Sequence, residues 1–407
     1  MCIRDRSYGL RFIKQNVPEV EILEYPTWKE YVRKLEEGWD VVGFSFYLNE
    51  VPEILEMVDV ARRKGVPEIW GGNYGALTEA VQPYFDRVFV GYAEGEIARF
   101  FGRRVKKLVH PPLVYYFASP LRFLKITRYG VLFTSRGCPY NCSFCQIRVF
   151  CPKPHTIPIE SIDRVLRYYR DHGFRYVGIL DDNFGVFKRH SDEVISLLEE
   201  YGLLWIPMVR TDILRENWED WSERGLAGAI VGIESLDQEN LDSIGKGQRV
   251  EDVYELIEMV KSSTPSPSMR FHGRHLLGFY VIGFENDTVR SVRENVRKLK
   301  ELGIIFTQLF ILTPAPQTSL WDYLNEKYGI FETDLRKFDG KHLVWNHPHI
   351  GPEEMERLLR WGMRELNSRG FLRYFFHWLP DYAFNFREYF THFCLTNTFD
   401  YKRERFL

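Results

Sequence analysis

The sequence predicts an α/β protein: a doubly wound domain over residues 8–105, a partial (β/α)6 barrel over 131–320, and a helical extension over 321–407. Two observations carry this. Short apolar strands alternate with amphipathic helices through both long stretches, the pattern of parallel sheets joined by helical crossovers. After residue 131 six such units follow in succession, which fits a barrel or part of one and not a sandwich.

In the first stretch, Tyr8–Gln15 reads as a helix, Glu19–Leu23 as a strand and Thr27–Glu36 as an amphipathic helix. Val41–Phe46 is an apolar strand, Val51–Lys64 a helix, and Ile69–Trp70 and Val88–Val90 are short strands. The first strand of a doubly wound sheet would then have to precede Tyr8. Met1–Ser7 lead into no such strand; they resemble a translated adapter joined to a truncated gene and are set aside from the fold. Residues 106–130 read as a basic, proline-containing linker. The second series has strands at Val131–Ser135, Tyr176–Leu180, Leu204–Val209, Ala229–Ile233, Leu276–Ile282 and Ile305–Leu312. Helices fall between them, among others Ile159–Asp171, Ser191–Tyr201, Val250–Lys261 and Val289–Leu302.

Composition narrows the class. Hydrophobic residues at 45% and charged residues at 27% describe a soluble globular chain. A net charge of −2 provides no broad basic field, which argues against a nucleic-acid partner. The longest apolar run, Leu276–Phe284, is strand-length and glycine-broken, so no transmembrane segment is expected; nor is a secretory signal. Of six cysteines, Cys138, Cys142, Cys145 and Cys151 crowd into fourteen residues, which is metal-site clustering and points to a reducing, cytoplasmic location.

The loop after the strand at Val131 reads Arg136-Gly-Cys138-Pro-Tyr-Asn-Cys142-Ser-Phe-Cys145. Thiolates at this spacing can occupy three corners of one iron–sulfur cubane, whereas ordinary clusters take four cysteines. Three leave one iron open to a small molecule. A zinc site would pair two doublets across a longer gap. Cys151 as a fourth ligand would make the site an electron carrier.

Cys-x-x-x-Cys-x-aromatic-Cys after the strand that opens a βα series resembles the radical S-adenosylmethionine (SAM) superfamily. The resemblance implies a [4Fe–4S] cluster on Cys138, Cys142 and Cys145, with SAM on the open iron. Reductive cleavage then gives a 5′-deoxyadenosyl radical that takes hydrogen from substrate. It also implies roles at the strand ends: Asp181 and Asp182 toward the SAM amine, Arg210 toward its carboxylate, Glu234 toward the ribose, and the backbone at Phe144 toward adenine. Each is equally a residue type of helix caps and surface ion pairs. No catalytic acid, base or radical-quenching residue is assigned.

The turns at Ser45, Tyr47 and Asn49, then Gly71-Gly72-Asn73, then Gly91 and Glu94 resemble a cobalamin-binding domain. Glycines are needed where backbone must approach a bulky ligand. Taken in order with Gly232-Ile-Glu-Ser235, Asp287-Thr288 and Thr313–Thr318, they resemble the cobalamin-dependent radical SAM class over roughly residues 8 to 350. The class implies methylation of an unactivated carbon on a small-molecule or lipid-like substrate, with flavodoxin or ferredoxin as electron donor. Two other outcomes stand beside it: cyclisation or rearrangement without methyl transfer, and a non-catalytic iron–sulfur carrier or sensor. Residues 8–105 contain no histidine, so no imidazole there can ligate cobalt, and Asn73 stands where relatives often carry Pro-His. Aromatic residues from Phe371 to Phe390 would wall an apolar pocket or pack on the open side of the barrel.

Overall fold

The computed structural model describes residues 7–118, 125–263, 275–304 and 306–367. The chain opens with α1 (Tyr8–Asn16), whose N-cap is Ser7: its hydroxyl accepts from the Leu10 amide at 3.4 Å. Ser7, set aside with the leader on sequence, therefore belongs to the fold. Helix α2 (Trp28–Leu35) starts at a Thr27–Glu30 capping box, in which each side chain satisfies the other's exposed amide. Then come β1 (Val41–Ser45), α3 (Val51–Arg63), β2 (Glu68–Gly72), β3 (Arg87–Val88) and α4 (Glu94–Phe100).

The three strands are parallel in the order β1-β2-β3, with Val41 opposite Glu68 and Trp70 opposite Arg87. One expectation fails here. Glu19–Leu23 is irregular; Val17 and Val20 pack instead with Trp70 and Phe89, and no strand lies alongside to share a ladder. The further strand that a doubly wound sheet needs, expected before Tyr8, is not among the described residues.

The second sheet begins where a linker was expected. Strands β4 (Leu113–Ala118) and β5 (Lys125–Leu132) pair antiparallel within this stretch. After them come β6 (Ser135–Arg136), α5 (Ile147–Phe150), β7 (His155–Thr156), α6 (Ile159–Asp171), β8 (Tyr176–Ile179), α7 (Lys188–Glu200), β9 (Leu204–Arg210) and α8 (Thr211–Glu223). The chain continues through β10 (Gly228–Glu234), α9 (Gln238–Ser243), α10 (Val250–Ser262), β11 (His275–Ile282), α11 (Val289–Glu301), β12 (Phe306–Ile311), α12 (Ser319–Lys327) and α13 (Pro352–Asn367). Between α12 and α13 the extension is largely irregular rather than helical. The aromatic tail from Phe371 and Cys394 lie outside the described residues.

Seven strands form one sheet in the order β12-β11-β10-β9-β8-β5-β4, all parallel except β4. The buried ring of Tyr169, on α6, locks β4 to β5, its hydroxyl within 2.7 Å of the Leu113 and Val131 carbonyls. A Cβ on Gly130 would lie 2.6 Å from that ring, so the close packing requires glycine. Strands that are parallel and sequential end on one edge, and the loops that follow them gather there.

Candidate functional site

Strand β6 pairs with β7 to make a small ribbon that closes the cysteine loop at its base. Gly137, at φ +81°, turns the chain there; a Cβ would lie 2.8 Å from the Cys151 sulfur. Two neighbours pin the loop. The Ser143 amide donates to the Ile244 carbonyl at 2.8 Å, and the Ser143 carbonyl accepts from Leu320 at 3.0 Å. Gln146 adds a bond to the Pro316 carbonyl at 3.1 Å.

Cys138, Cys142 and Cys145 are free, half-buried thiols. Burial first, and then the neighbouring Cys142 and Cys138, push the Cys145 thiol up to about 12. Cys142 is raised by burial and by Cys138, and lowered by Lys246 and Arg210. The three sulfurs are thus close enough to feel one another's charge, an arrangement that a bound cation relieves. Among the described residues no three Cys, His, Asp or Glu side chains are placed to hold a metal ion. A single ion needs ligands that converge on one point, whereas a cubane takes one thiolate on each of three irons, so three thiols on one loop are a donor set that fits an iron–sulfur cluster. Cys151 is buried, its sulfur turned to the Lys153 carbonyl at 3.6 Å.

The strand-end residues divide by what occupies them. Asp181 is buried and accepts from the Thr134 amide at 2.6 Å, the Thr134 hydroxyl and the Ser135 hydroxyl at 2.7 Å. It braces the turn after β5, and burial raises its carboxyl to about 6. Asp182 accepts from the Gly137 amide at 2.7 Å, and burial raises it too. Asn183 joins the two sides: its Oδ1 accepts from the Arg210 amide at 3.1 Å and its Nδ2 lies 3.9 Å from the Cys138 sulfur.

Arg210 donates to both oxygens of Asp212 and, at 2.7 Å, to the Lys246 carbonyl, and its guanidinium lies 4.0 Å over the Tyr140 ring. Glu234 takes a left-handed backbone, φ +60°, unusual for a residue with a Cβ. Its Oε1 accepts from the Lys246 ammonium at 2.8 Å, in a pair almost closed to solvent. A Cβ on Gly232 would lie 2.3 Å from that oxygen and 2.9 Å from the ammonium, so glycine makes room for the pair. Sequence reading missed Lys246. Its flanking glycines, Gly245 and Gly247, both at positive φ, were the available signal. Phe144 is half-buried against the core.

The first domain faces this edge with an aromatic wall. Tyr47 stacks on Tyr74 at 6.0 Å, Tyr74 on Phe150 at 4.5 Å, and Tyr92 meets Phe150 edge-on at 5.1 Å. Tyr47 is 51% exposed at the outer end of this stack. Phe150 ends α5, the short helix that follows Cys145, so its contacts with Tyr74 and Tyr92 bring the wall against the cysteine loop.

Asn73, at φ +72°, caps the Tyr74 amide at 2.9 Å, and Asn49 sits in the short turn Leu48–Glu50. Ser45 is exposed and Gly72 has only loose neighbours, the nearest 3.8 Å away. Gly71 instead makes room for the Phe85 ring, and Gly91, at φ +92°, for the Phe150 carbonyl. Glu94, expected at a ligand, is ion-paired with Arg136 at 2.6 Å. His110, the first histidine, is buried with both ring nitrogens occupied: Nε2 by the Phe133 amide at 2.9 Å, Nδ1 by the Pro111 carbonyl at 2.6 Å.

Residues 132–279 match the radical SAM superfamily profile. This chain carries a radical SAM domain. The cysteine loop, Asp182, Arg210, Glu234 and Lys246 all fall within the radical SAM domain, while the aromatic wall is contributed mostly from outside it. The likeness reaches further. The structure of radical S-adenosylmethionine methyltransferase TsrM from Kitasatospora setae, with cobalamin and [4Fe-4S] cluster bound, covers 79% of this chain and 75% of its own. Its TM-score is 0.60 at 17% identity, so the two share a fold. An uncharacterized methyltransferase of Pyrococcus horikoshii is 29% identical over 240 residues, 57% of this chain. The match spans 50% of that relative's length. A bacteriochlorophyllide d C-8(2)-methyltransferase of Chlorobaculum tepidum is 24% identical, over 75% of this chain and 73% of its own. Among the described residues no helix is long and apolar enough to cross a membrane.

Proposed function

We propose that this protein methylates an unactivated carbon of a small-molecule substrate, using a [4Fe–4S] cluster, SAM and cobalamin. The observation that carries the reading is the meeting of three mutually sensitive thiols with cationic and acidic strand ends on one side and an aromatic wall on the other. Cys138, Cys142 and Cys145 would hold the cluster. Bound there, cluster and SAM supply a carbon-centred radical, and cobalamin supplies a methyl carrier.

The chain's own residues do the positioning. Arg210 spends three of its N–H donors on Asp212 and Lys246, leaving two of a guanidinium's five for the SAM carboxylate. Glu234 keeps Oε2 for the ribose hydroxyls, and the backbone at Phe144 lies beside the adenine. Asp182, rather than the fully engaged Asp181, faces the amine. Ser45, Tyr47, Asn49, Gly72 and Asn73 line the cobalamin side, whereas Gly71, Gly91 and Glu94 serve packing and the ion pair. The sequential order of the parallel strands supports a partial barrel for this part of the chain. A flavodoxin or ferredoxin in the cytoplasm would supply electrons.

The test is product balance. Anaerobically reconstituted protein, reduced and given its substrate, forms 5′-deoxyadenosine and S-adenosylhomocysteine in nearly equal amounts and passes a deuterated methyl group to the product. Formation of 5′-deoxyadenosine with product but without label removes the methylase and leaves a non-methylating radical enzyme. Absence of SAM cleavage leaves an electron carrier.

A further inference from the structure

Lys246 is a buried ammonium with work left over. Its side chain is 6% exposed, and among the described residues its one hydrogen-bond partner is Glu234 Oε1, at 2.8 Å. An ammonium has three N–H donors, and desolvating a cation is costly unless its environment answers the charge. The residue is held in place from three directions. Gly245 and Gly247, at φ +60° and +61°, fold the backbone around it. Its carbonyl accepts from Arg210 at 2.7 Å, and its amide donates to Leu241 at 3.1 Å. Two residues earlier, the Ile244 carbonyl accepts from Ser143, between Cys142 and Cys145. The loop that carries Lys246 is therefore fastened both to the cysteine loop and to Arg210.

Lys246 also explains two costs in its surroundings. Glu234 has a left-handed backbone without being glycine or asparagine, and its carboxylate lies nearly closed to solvent. The ammonium answers that charge and holds the carboxylate at the strand end. Gly232 leaves the space in which they meet.

The geometry points to Lys246 as a positioning residue of this site: it fixes Glu234 for the SAM ribose and turns its remaining N–H donors toward the cysteine loop to which its own loop is fastened. Hydrogen bonds and positive charge near cluster sulfur stabilise the reduced form, which carries one more electron. Lys246 thus serves both SAM affinity and ease of reduction. This rests on the SAM-site reading above.

The test uses the full chain, reconstituted anaerobically, with Lys246→Met and Lys246→Arg. Iron content, SAM affinity by calorimetry, and the cluster midpoint potential by EPR-monitored titration without SAM are measured for each. In Lys246→Met the iron content stays at the wild-type level, SAM binds about tenfold or more weakly, and the midpoint moves to more negative potential. Lys246→Arg, which keeps the charge, recovers most of the midpoint. Wild-type affinity and midpoint in Lys246→Met overturn the inference while leaving the SAM site standing. A wild-type protein that binds no SAM overturns the SAM-site reading instead. If Lys246→Met loses its iron, Lys246→Gln replaces it with the same expected outcomes. Loss of iron there as well overturns the inference, since a positioning residue is not needed for the cluster to assemble.

Discussion

Arg136 and Glu94 form a buried ion pair between the cysteine loop and the first domain: Nη2 lies 2.6 Å from Oε1 and Nη1 3.2 Å from Oε2, with both side chains 5% exposed. The guanidinium is also held between Tyr92, 3.8 Å from the ring centre, and Phe12, at 4.6 Å. Glu94 stands at the start of α4, where a helix N-terminus favours a carboxylate. Removing one partner leaves a desolvated charge, which costs about 3–5 kcal/mol, whereas replacing both with apolar residues is much milder. Glu94→Ala should therefore lower the urea midpoint strongly, and Glu94→Leu with Arg136→Met should recover most of it. A Glu94→Ala protein with the wild-type midpoint would show that the pair does not join the two parts.

The cysteine roles separate by substitution. Alanine at Cys138, Cys142 or Cys145 should abolish the iron–sulfur absorbance of reconstituted protein. Cys151→Ala should keep it, because that sulfur is turned to the Lys153 carbonyl and packs with Leu77 and Phe150. Loss of iron in Cys151→Ala would make it the fourth ligand, close the open iron and favour the electron carrier.

The radical SAM core was legible because its signals are local. The cysteine spacing sits in eight residues, Cys138 to Cys145, and each parallel strand is an apolar run between amphipathic helices. Ile159–Asp171 was placed to the residue, and the strands at Tyr176, Leu204 and Ala229 within one. What failed depends on partners distant in sequence. Glu19–Leu23 has the alternation of a strand but nothing to pair with. Leu113–Ala118 was hidden behind Pro111 and Pro112, although its run of Leu-Val-Tyr-Tyr-Phe has strand composition. Residue types marked Asp181 and Glu94 as site candidates; only the fold shows that Thr134, Ser135 and Arg136 occupy them. Lys246 carries no motif, and its meeting with Glu234 across twelve residues is tertiary.

Acid should act on this fold with two opposed signs. Burial lowers His110 from 6.5 to about 3, so its contribution is complete above pH 6.5 and is lost as pH falls toward 3. Burial raises Asp181 from 3.8 to about 6, so its contribution is complete below pH 3.8 and is lost as pH rises through 6. Between pH 7 and pH 5 the first should remove about 2 kcal/mol and the second restore about 1 kcal/mol. Relative to wild type, Asp181→Asn should thus lose stability more steeply on acidification, and His110→Gln less steeply. Urea titrations at pH 7 and pH 5 measure both slopes. Parallel slopes for all three proteins would show that neither group titrates differently in the folded state.

The last prediction concerns the lower face of cobalamin. An imidazole ligand needs a free nitrogen lone pair on a ring that reaches the metal. Residues 8–105 contain no histidine. His110, the next along the chain, accepts the Phe133 amide through Nε2 and donates from Nδ1 to the Pro111 carbonyl, so it has no lone pair to give without breaking a buried hydrogen bond. The wall itself is Tyr47, Tyr74, Phe150 and Tyr92, which offer no nitrogen, and the adjoining Asn73 Oδ1 already accepts the Tyr74 amide. Protein reconstituted with cobalamin and reduced to cobalt(II) should accordingly give an EPR spectrum without superhyperfine splitting from a protein nitrogen. His110→Gln should leave that spectrum unchanged. Nitrogen splitting abolished by a histidine substitution would overturn the assignment of this wall as the cobalamin side, because the ligand would have to come from elsewhere in the chain.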